Sequence, residues 1–206
     1  STLTSKWVGE GEKLLKALFS VAVKKQPSLL FFDEIDSILS SRGDNEAEHS
    51  RRLKTEFMVQ TDGAATGAED RVLILGATNR PWDLDEAVLR RMPKRIYIAL
   101  PPPEARISMI QYHMDKNGVK FQSATLKRIV SISEGYSGSD MKALCKEAAM
   151  GPIRRVDPAL LLTIAAEKLK SITEVDFVAA SKIIRPSCSR DKLKEYAAWT
   201  DEYGAK

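Results

Sequence analysis

The sequence predicts an α/β fold in two parts: a parallel sheet flanked by helices over residues 1–100, then an all-helical region over residues 101–206. Three observations carry this. Leu29-Leu30-Phe31-Phe32 and the segments 72–77 and 95–100 are short apolar runs of the kind that form strands inside a parallel sheet. Segments with helical periodicity separate them, which is the alternation of an α/β domain. Pro101-Pro102-Pro103 then marks a change of character, and no convincing strand follows it.

Taken in order, residues 10–25 place Leu14, Leu15, Leu18, Phe19, Val21 and Ala22 on one broad stripe with Lys13, Lys16 and Lys24 outside it, and Pro27 ends the helix. The run from Leu29 to Phe32 is continuously apolar, so it reads as a strand buried on both faces. A polar loop over 40–48 leads to a second helix marked by Leu53, Phe57 and Val59, which Asp62-Gly63 closes. Two more strands, 72–77 and 95–100, flank a short helix over 85–91. In the second half, Ser137-x-x-Asp140 and Thr173-x-x-Asp176 are helix starts, a hydroxyl capping orphan amides and an acid in the positive first turn. Met141, Leu144, Cys145 and Ala148 form the apolar stripe of one helix, and Phe177, Ala180 and Ile184 that of the other.

Composition narrows the function classes. With 43% hydrophobic residues, the 206-residue chain can bury a sizeable core. Its 32 Lys and Arg against 28 Asp and Glu give +4, compatible with an acidic partner and too small to indicate a nucleic-acid binder. No run approaches the roughly 18 apolar residues of a membrane helix, and no secretion signal opens the chain. Cys145 and Cys188 lack metal-ligand spacing. A soluble intracellular protein with reduced thiols is expected.

Three groups of residues carry chemistry. Asp33-Glu34 follow directly on an apolar strand, at the end where open α/β sheets bind ligands. One carboxylate there can hold Mg²⁺ through its water shell while the next polarises an attacking water; acidic residues also end strands simply as the chain meets solvent. Gly76-Ala77-Thr78-Asn79-Arg80-Pro81 ends a second strand in an amide able to orient a water or a phosphate oxygen, or to form a turn. Leu89-Arg90-Arg91 sets two guanidiniums at a helix C-terminus, where they complement the helix dipole or reach a neighbouring subunit's phosphate.

In this order and spacing the three groups resemble the AAA ATPase family. The resemblance implies that Asp33 and Glu34 are the Walker B pair, Asn79 the sensor 1 residue, and Arg90 and Arg91 trans-acting arginine fingers. Gly135-Tyr136-Ser137-Gly138-Ser139-Asp140 resembles the lid segment whose glycine and small neighbour, here Gly138 and Ser139, lie against the nucleotide's base and ribose. Ser5-Lys6-Trp7-Val8-Gly9-Glu10-Gly11-Glu12-Lys13 is similar to the first pore loop of the meiotic clade, the fidgetin-like, spastin and katanin microtubule-severing ATPases. A flat aromatic beside Lys6 and Val8 can grip a peptide without reading its sequence. Residues 42–52, with Arg51 and Arg52, resemble the second pore loop, and Tyr196, Trp199 and Tyr203 resemble the clade's C-terminal ending, an i, i+3, i+7 stripe that would otherwise be read as packing.

The resemblance implies ATP and Mg²⁺, a homo-hexameric ring, and acidic tubulin tails as substrate, in the cytoplasm and on microtubules, with the nucleus left open. An ATPase remodelling another protein assembly, of ESCRT or recombination type, is the alternative enzyme. No Gly-x-x-x-x-Gly-Lys-Ser/Thr occurs in the chain. The family places that loop upstream of the pore loop and its strand between those at 72–77 and 95–100. An N-terminally truncated large subdomain with an intact lid is therefore expected, inactive by itself. A non-hydrolysing assembly or adaptor module is the reading left if the loop is absent altogether.

Overall fold

The computed structural model describes residues 10–40, 48–64, 71–160, 163 and 171–205, in two compact units. One comprises Ser1–Ile96 with Trp199–Lys206, the other Tyr97–Ala198.

In the first unit, α1 (Glu10–Lys24) leads to β1 (Ser28–Phe32), a single turn α2 (Asp36–Leu39), α3 (Glu48–Ala64), β2 (Val72–Gly76) and α4 (Glu86–Arg91). The strands pair in parallel, Ser28 opposite Val72 through Phe32 opposite Gly76. α1 buries Leu15, Phe19 and Ala22, which meet Leu30 and Phe32 from β1 and Leu53 and Phe57 from α3. The centre of this core is aromatic: Phe57 packs edge-to-face with Phe19 and with Phe32, centroids 6.1 and 5.2 Å apart.

Three expectations change here. The broad stripe of α1 is buried only along Leu15, Phe19 and Ala22, while Leu14, Leu18 and Val21 are exposed, because α1 has a core on one side only. β1 is buried on one face and not both: Leu30 and Phe32 point inward while Leu29 and Phe31 remain 56% and 57% exposed. Segment 95–100 is no strand, and Ile98 is 83% exposed. A strand exists only where a neighbour completes its ladder, and the described residues form a sheet of β1 and β2 alone.

The second unit contains α5 (Pro103–Asp115), α6 (Ser123–Ser131), α7 (Gly138–Ala149), a short α8 (Gly151–Arg154) and α9 (Glu174–Ile183). α10 (Arg190–Tyr203) begins in this unit and its last residues belong to the first. The predicted stripe of Met141, Leu144, Cys145 and Ala148 lies in the core against Ile110, Met114, Ile129 and Phe177. Burial pushes the Cys145 thiol up to about 12, which makes it an inert packing group.

Both predicted helix starts are present. The Ser137 hydroxyl accepts from the Asp140 amide at 3.2 Å while the Asp140 carboxylate accepts from the Ser137 amide at 2.9 Å. The same carboxylate accepts from the amide and hydroxyl of Ser187 at 3.1 and 2.9 Å, so it also fastens the segment entering α10. Burial raises the pKa of Asp140, but the bonds from Ser137 and Ser187 together outweigh it and hold it below the usual aspartate range. Asp176 reaches back to the Thr173 amide at 2.8 Å and is paired with Arg155.

Candidate functional site

The first unit builds its site where the two strands end. Beyond the last ladder pair, the Ala77 amide donates to Phe32 O at 2.8 Å and the Ile35 amide to Ala77 O at 3.0 Å. These two bonds carry the pairing past the strands and hold the turn after β1 against the turn after β2. The side chains reinforce the junction: the Thr78 hydroxyl donates to Asp36 Oδ1 at 2.5 Å and accepts from the Arg80 amide at 2.9 Å. Ile35 is buried beneath it, so close to Gly76 that a Cβ there would sit 2.7 Å from Ile35 Cδ1. Any larger residue there would have to push the end of the buried Ile35 side chain aside.

Asp33 and Glu34 leave this junction exposed to solvent. The Glu34 backbone has φ of +50°, in the left-handed region that non-glycine residues avoid. Its amide donates to Asp33 Oδ1 at 2.9 Å, leaving the other Asp33 oxygen for a ligand. The two adjacent carboxylates therefore have different tasks available to them, one partly engaged by the backbone and one exposed on an unusual turn. Asn79 follows Thr78 at the same end of the sheet and is exposed.

Arg90 and Arg91 lie on α4, whose first turn is capped by Asp85 accepting from the Ala87 amide at 2.8 Å. The chain treats the two differently. Arg91 makes a two-pronged bond to Asp62 of α3, 2.6 and 2.7 Å, and donates to Ala87 O at 3.0 Å. That hydrogen bond raises the Arg91 pKa and lowers that of Asp62. Arg90 projects outward, 79% exposed, with only a loose 3.6 Å pairing to Glu86.

Other expected residues fall elsewhere. Lys6, Trp7 and Val8 lie outside the described residues. Arg51 and Arg52, expected in a loop, are in the first turns of α3, where Arg52 pairs with Glu48 at 2.5 Å. An i, i+4 acid and base favour helix over loop at that point. In the second unit Gly138 and Ser139 open α7 directly after the Ser137 cap, and a Cβ on Gly138 would touch only the end of Met109, at 3.7 Å. The fold itself does not require glycine there.

The family profile "ATPase family associated with various cellular activities (AAA)" matches residues 1–100, and the "AAA+ lid domain" profile matches residues 123–178. The crystal structure of the FIGL-1 AAA domain in complex with ADP superposes with a TM-score of 0.89 at 49% identity, covering 100% of this chain and 68% of that one. The chain belongs to the AAA ATPase family. Among curated relatives, fidgetin-like protein 1 of Caenorhabditis elegans is 52% identical over 99% of the chain and spastin of Xenopus tropicalis 48% over 99%. In both cases the chain spans 34%, about a third, of the relative's length. A structure described as the basis for katanin self-assembly matches with a TM-score of 0.75 at 35% identity, covering 96% of this chain and 66% of that one.

Within an AAA ATPase, the exposed Asp33 and Glu34 suit a hard cation that keeps most of its own water. The described residues hold no cluster of three or more acidic, His or Cys groups that would encage a metal. No helix among them is long and apolar enough to cross a membrane. Sequence reasoning missed Thr78, Asp36 and Asp62, because each acts through a partner distant in the chain and no local spacing announces the pairing.

Proposed function

We propose that this chain is the C-terminal part of an AAA large subdomain, residues 1–100, joined to its helical lid, residues 101–206, of an ATP-hydrolysing mechanoenzyme. The intact protein forms a homo-hexameric ring in the cytoplasm and severs microtubules by pulling on acidic tubulin tails. The observation that carries the reading is the junction beyond β1 and β2, which holds Asp33, Glu34 and Asn79 at one end of the sheet on a backbone bent to lift Glu34. In this reading Glu34 takes a proton from the attacking water, Asn79 orients that water, and Asp33 holds the water shell of Mg²⁺, which when bound neutralises phosphate charge. Gly138 and Ser139 lie against the nucleoside. Arg90 and Arg91 act in trans on a neighbour's phosphate; support comes from α4, where Arg90 turns to solvent with only Glu86 beside it, and Arg91 is held by Asp62 in a two-pronged bond that it releases to reach across.

Trp7 and Val8 grip the tail, and Lys6, Arg51 and Arg52 supply positive potential. The relatives named fidgetin-like protein 1 and spastin, and the katanin structure titled for self-assembly, support the clade and the ring. The chain lacks a Walker A loop and is expected to be inactive by itself. Two substitutions in the intact protein test the reading. Glu34→Gln is expected to abolish ATP turnover while nucleotide still binds, and full turnover in that variant removes Glu34 from its role. Trp7→Ala is expected to keep basal ATPase activity and to lose severing of labelled microtubules under the microscope; severing at the normal rate would exclude the pore grip.

A further inference from the structure

Arg95 stands outside every motif described above, yet it has an unusual set of partners. Its guanidinium donates to Tyr203 O at 2.8 Å and, through its other arm, to Leu89 O. Its own carbonyl accepts from the Ala205 amide at 2.9 Å. Both accepting carbonyls lie in the last turn of a helix, α4 and α10, where intrahelical donors run out. At Leu89 the sequence makes the shortage certain. The helical partner of that carbonyl would be the amide of residue 93, and residue 93 is Pro93, which has none. A guanidinium is the side chain suited to such a place, since its fork donates in two directions and its charge favours helix C-termini.

The helix joined in this way is the one that carries Arg90. α4 has only six residues, so its direction depends on what holds its two ends. Asp85 caps the first; Arg91 on Asp62 and Arg95 on Leu89 O hold the last. The C-terminal residues also approach α4 electrostatically: the Tyr203 phenol is raised first by its bond with Glu202, with the Glu86 carboxylate of α4 adding to the effect and Arg95 opposing it.

We infer that Arg95 is a positioning residue that couples the C-terminal helix to the arginine finger. While the end of α10 is docked on Arg95, the last turn of α4 is held and Arg90 points to a neighbouring subunit; when it leaves, the finger loses its aim. This rests on the reading of Arg90 as a residue that acts in trans. The coupling makes hydrolysis in one subunit depend on the C-terminal helix of the next.

The test is steady-state ATP turnover by the full-length assembled protein, with Arg95→Ala, Arg95→Lys, a stop after Glu202 that removes the Tyr203 carbonyl and the Ala205 amide, and Arg90→Ala. A misplacement of about 1 Å can cost about 100-fold in rate, so Arg95→Ala and the stop variant are each expected to lower kcat by at least about tenfold. KM for ATP and the stoichiometry of nucleotide binding should stay within about twofold, because the subunit's own pocket is untouched. Combining the two should cost no more than either, since both break the same link. Arg95→Lys, whose single ammonium replaces a fork that reaches the two carbonyls from separate nitrogens, is expected between wild type and alanine, and it carries the test if the alanine variant does not assemble. Unchanged kcat in Arg95→Ala or Arg95→Lys, a KM that rises in step, or fully additive losses would overturn the coupling. If Arg90→Ala lowers kcat and Arg95→Ala does not, the coupling alone is wrong; if neither does, the finger reading falls with it.

Discussion

Glu34 is held at φ of +50°, and the cost of that backbone can be separated from the chemistry of its side chain. A residue with a Cβ loses about 1–2 kcal/mol in the left-handed region, whatever its side chain. Glycine avoids that cost but starts from a freer unfolded chain, worth about 0.5–1 kcal/mol against it. The difference leaves Glu34→Gly more stable than Glu34→Ala by about 0.75 kcal/mol at the centre of these ranges, the reverse of the order in a helix or strand. Glu34→Gln keeps the backbone cost and changes only an exposed group, so it should stay within about 0.5 kcal/mol of wild type. Urea denaturation of the three variants in the intact protein, read as differences in midpoint at constant slope, measures the series. In a thermal melt the glycine variant should exceed the alanine variant by about 2 °C. All three should lose ATP hydrolysis. A glycine variant no more stable than alanine would refute the claim that this turn stores strain for the sake of the carboxylate it lifts.

Gly151→Ala should destabilise the second unit by about 2–3 kcal/mol, because the new Cβ would lie 2.6 Å from Cγ of the buried Asp176 and displace it from Thr173 and Arg155; an unchanged melting curve would show that the carboxylate can move freely. Phe57→Ala removes the ring that bridges Phe19 and Phe32 beneath β1 and should cost about 3–5 kcal/mol in urea titrations. Asp140 and Asp176 are both held below the usual aspartate range, so the stability they contribute is present above that range and is lost as pH falls through their native values. Acid titration by circular dichroism should find the second unit weakening below about pH 4. Asp140→Asn should be less stable at neutral pH and converge on wild type in acid, and a constant difference across the range would contradict the assignment.

Much of the second unit was legible in the sequence. Ser137 and Asp140 are three residues apart, and the stripe from Met141 to Ala148 repeats at the helical period. Those interactions are made within one or two turns, so spacing alone specifies them. The acidic pair at the end of an apolar run, the asparagine at the end of the next and the paired arginines also stand in the sequence as a set. Tertiary structure decided what each could do. β1 looks uniformly apolar, but which of its faces is buried depends on what packs there, and only Leu30 and Phe32 meet α1 and α3. Segment 95–100 has the composition of a strand and no ladder partner among the described residues. Arg90 and Arg91 are identical as letters; Asp62, on another helix, holds one in a two-pronged bond, while the other stays largely exposed beside Glu86. Arg95 shows both halves of the lesson. Pro93 announces in the sequence that Leu89 O lacks a donor, but only the fold brings the end of α10 within reach of the guanidinium that supplies it. Periodicity and capping act over a few residues and are written in the chain, whereas pairing between distant elements depends on which faces meet, and that is a property of the folded whole.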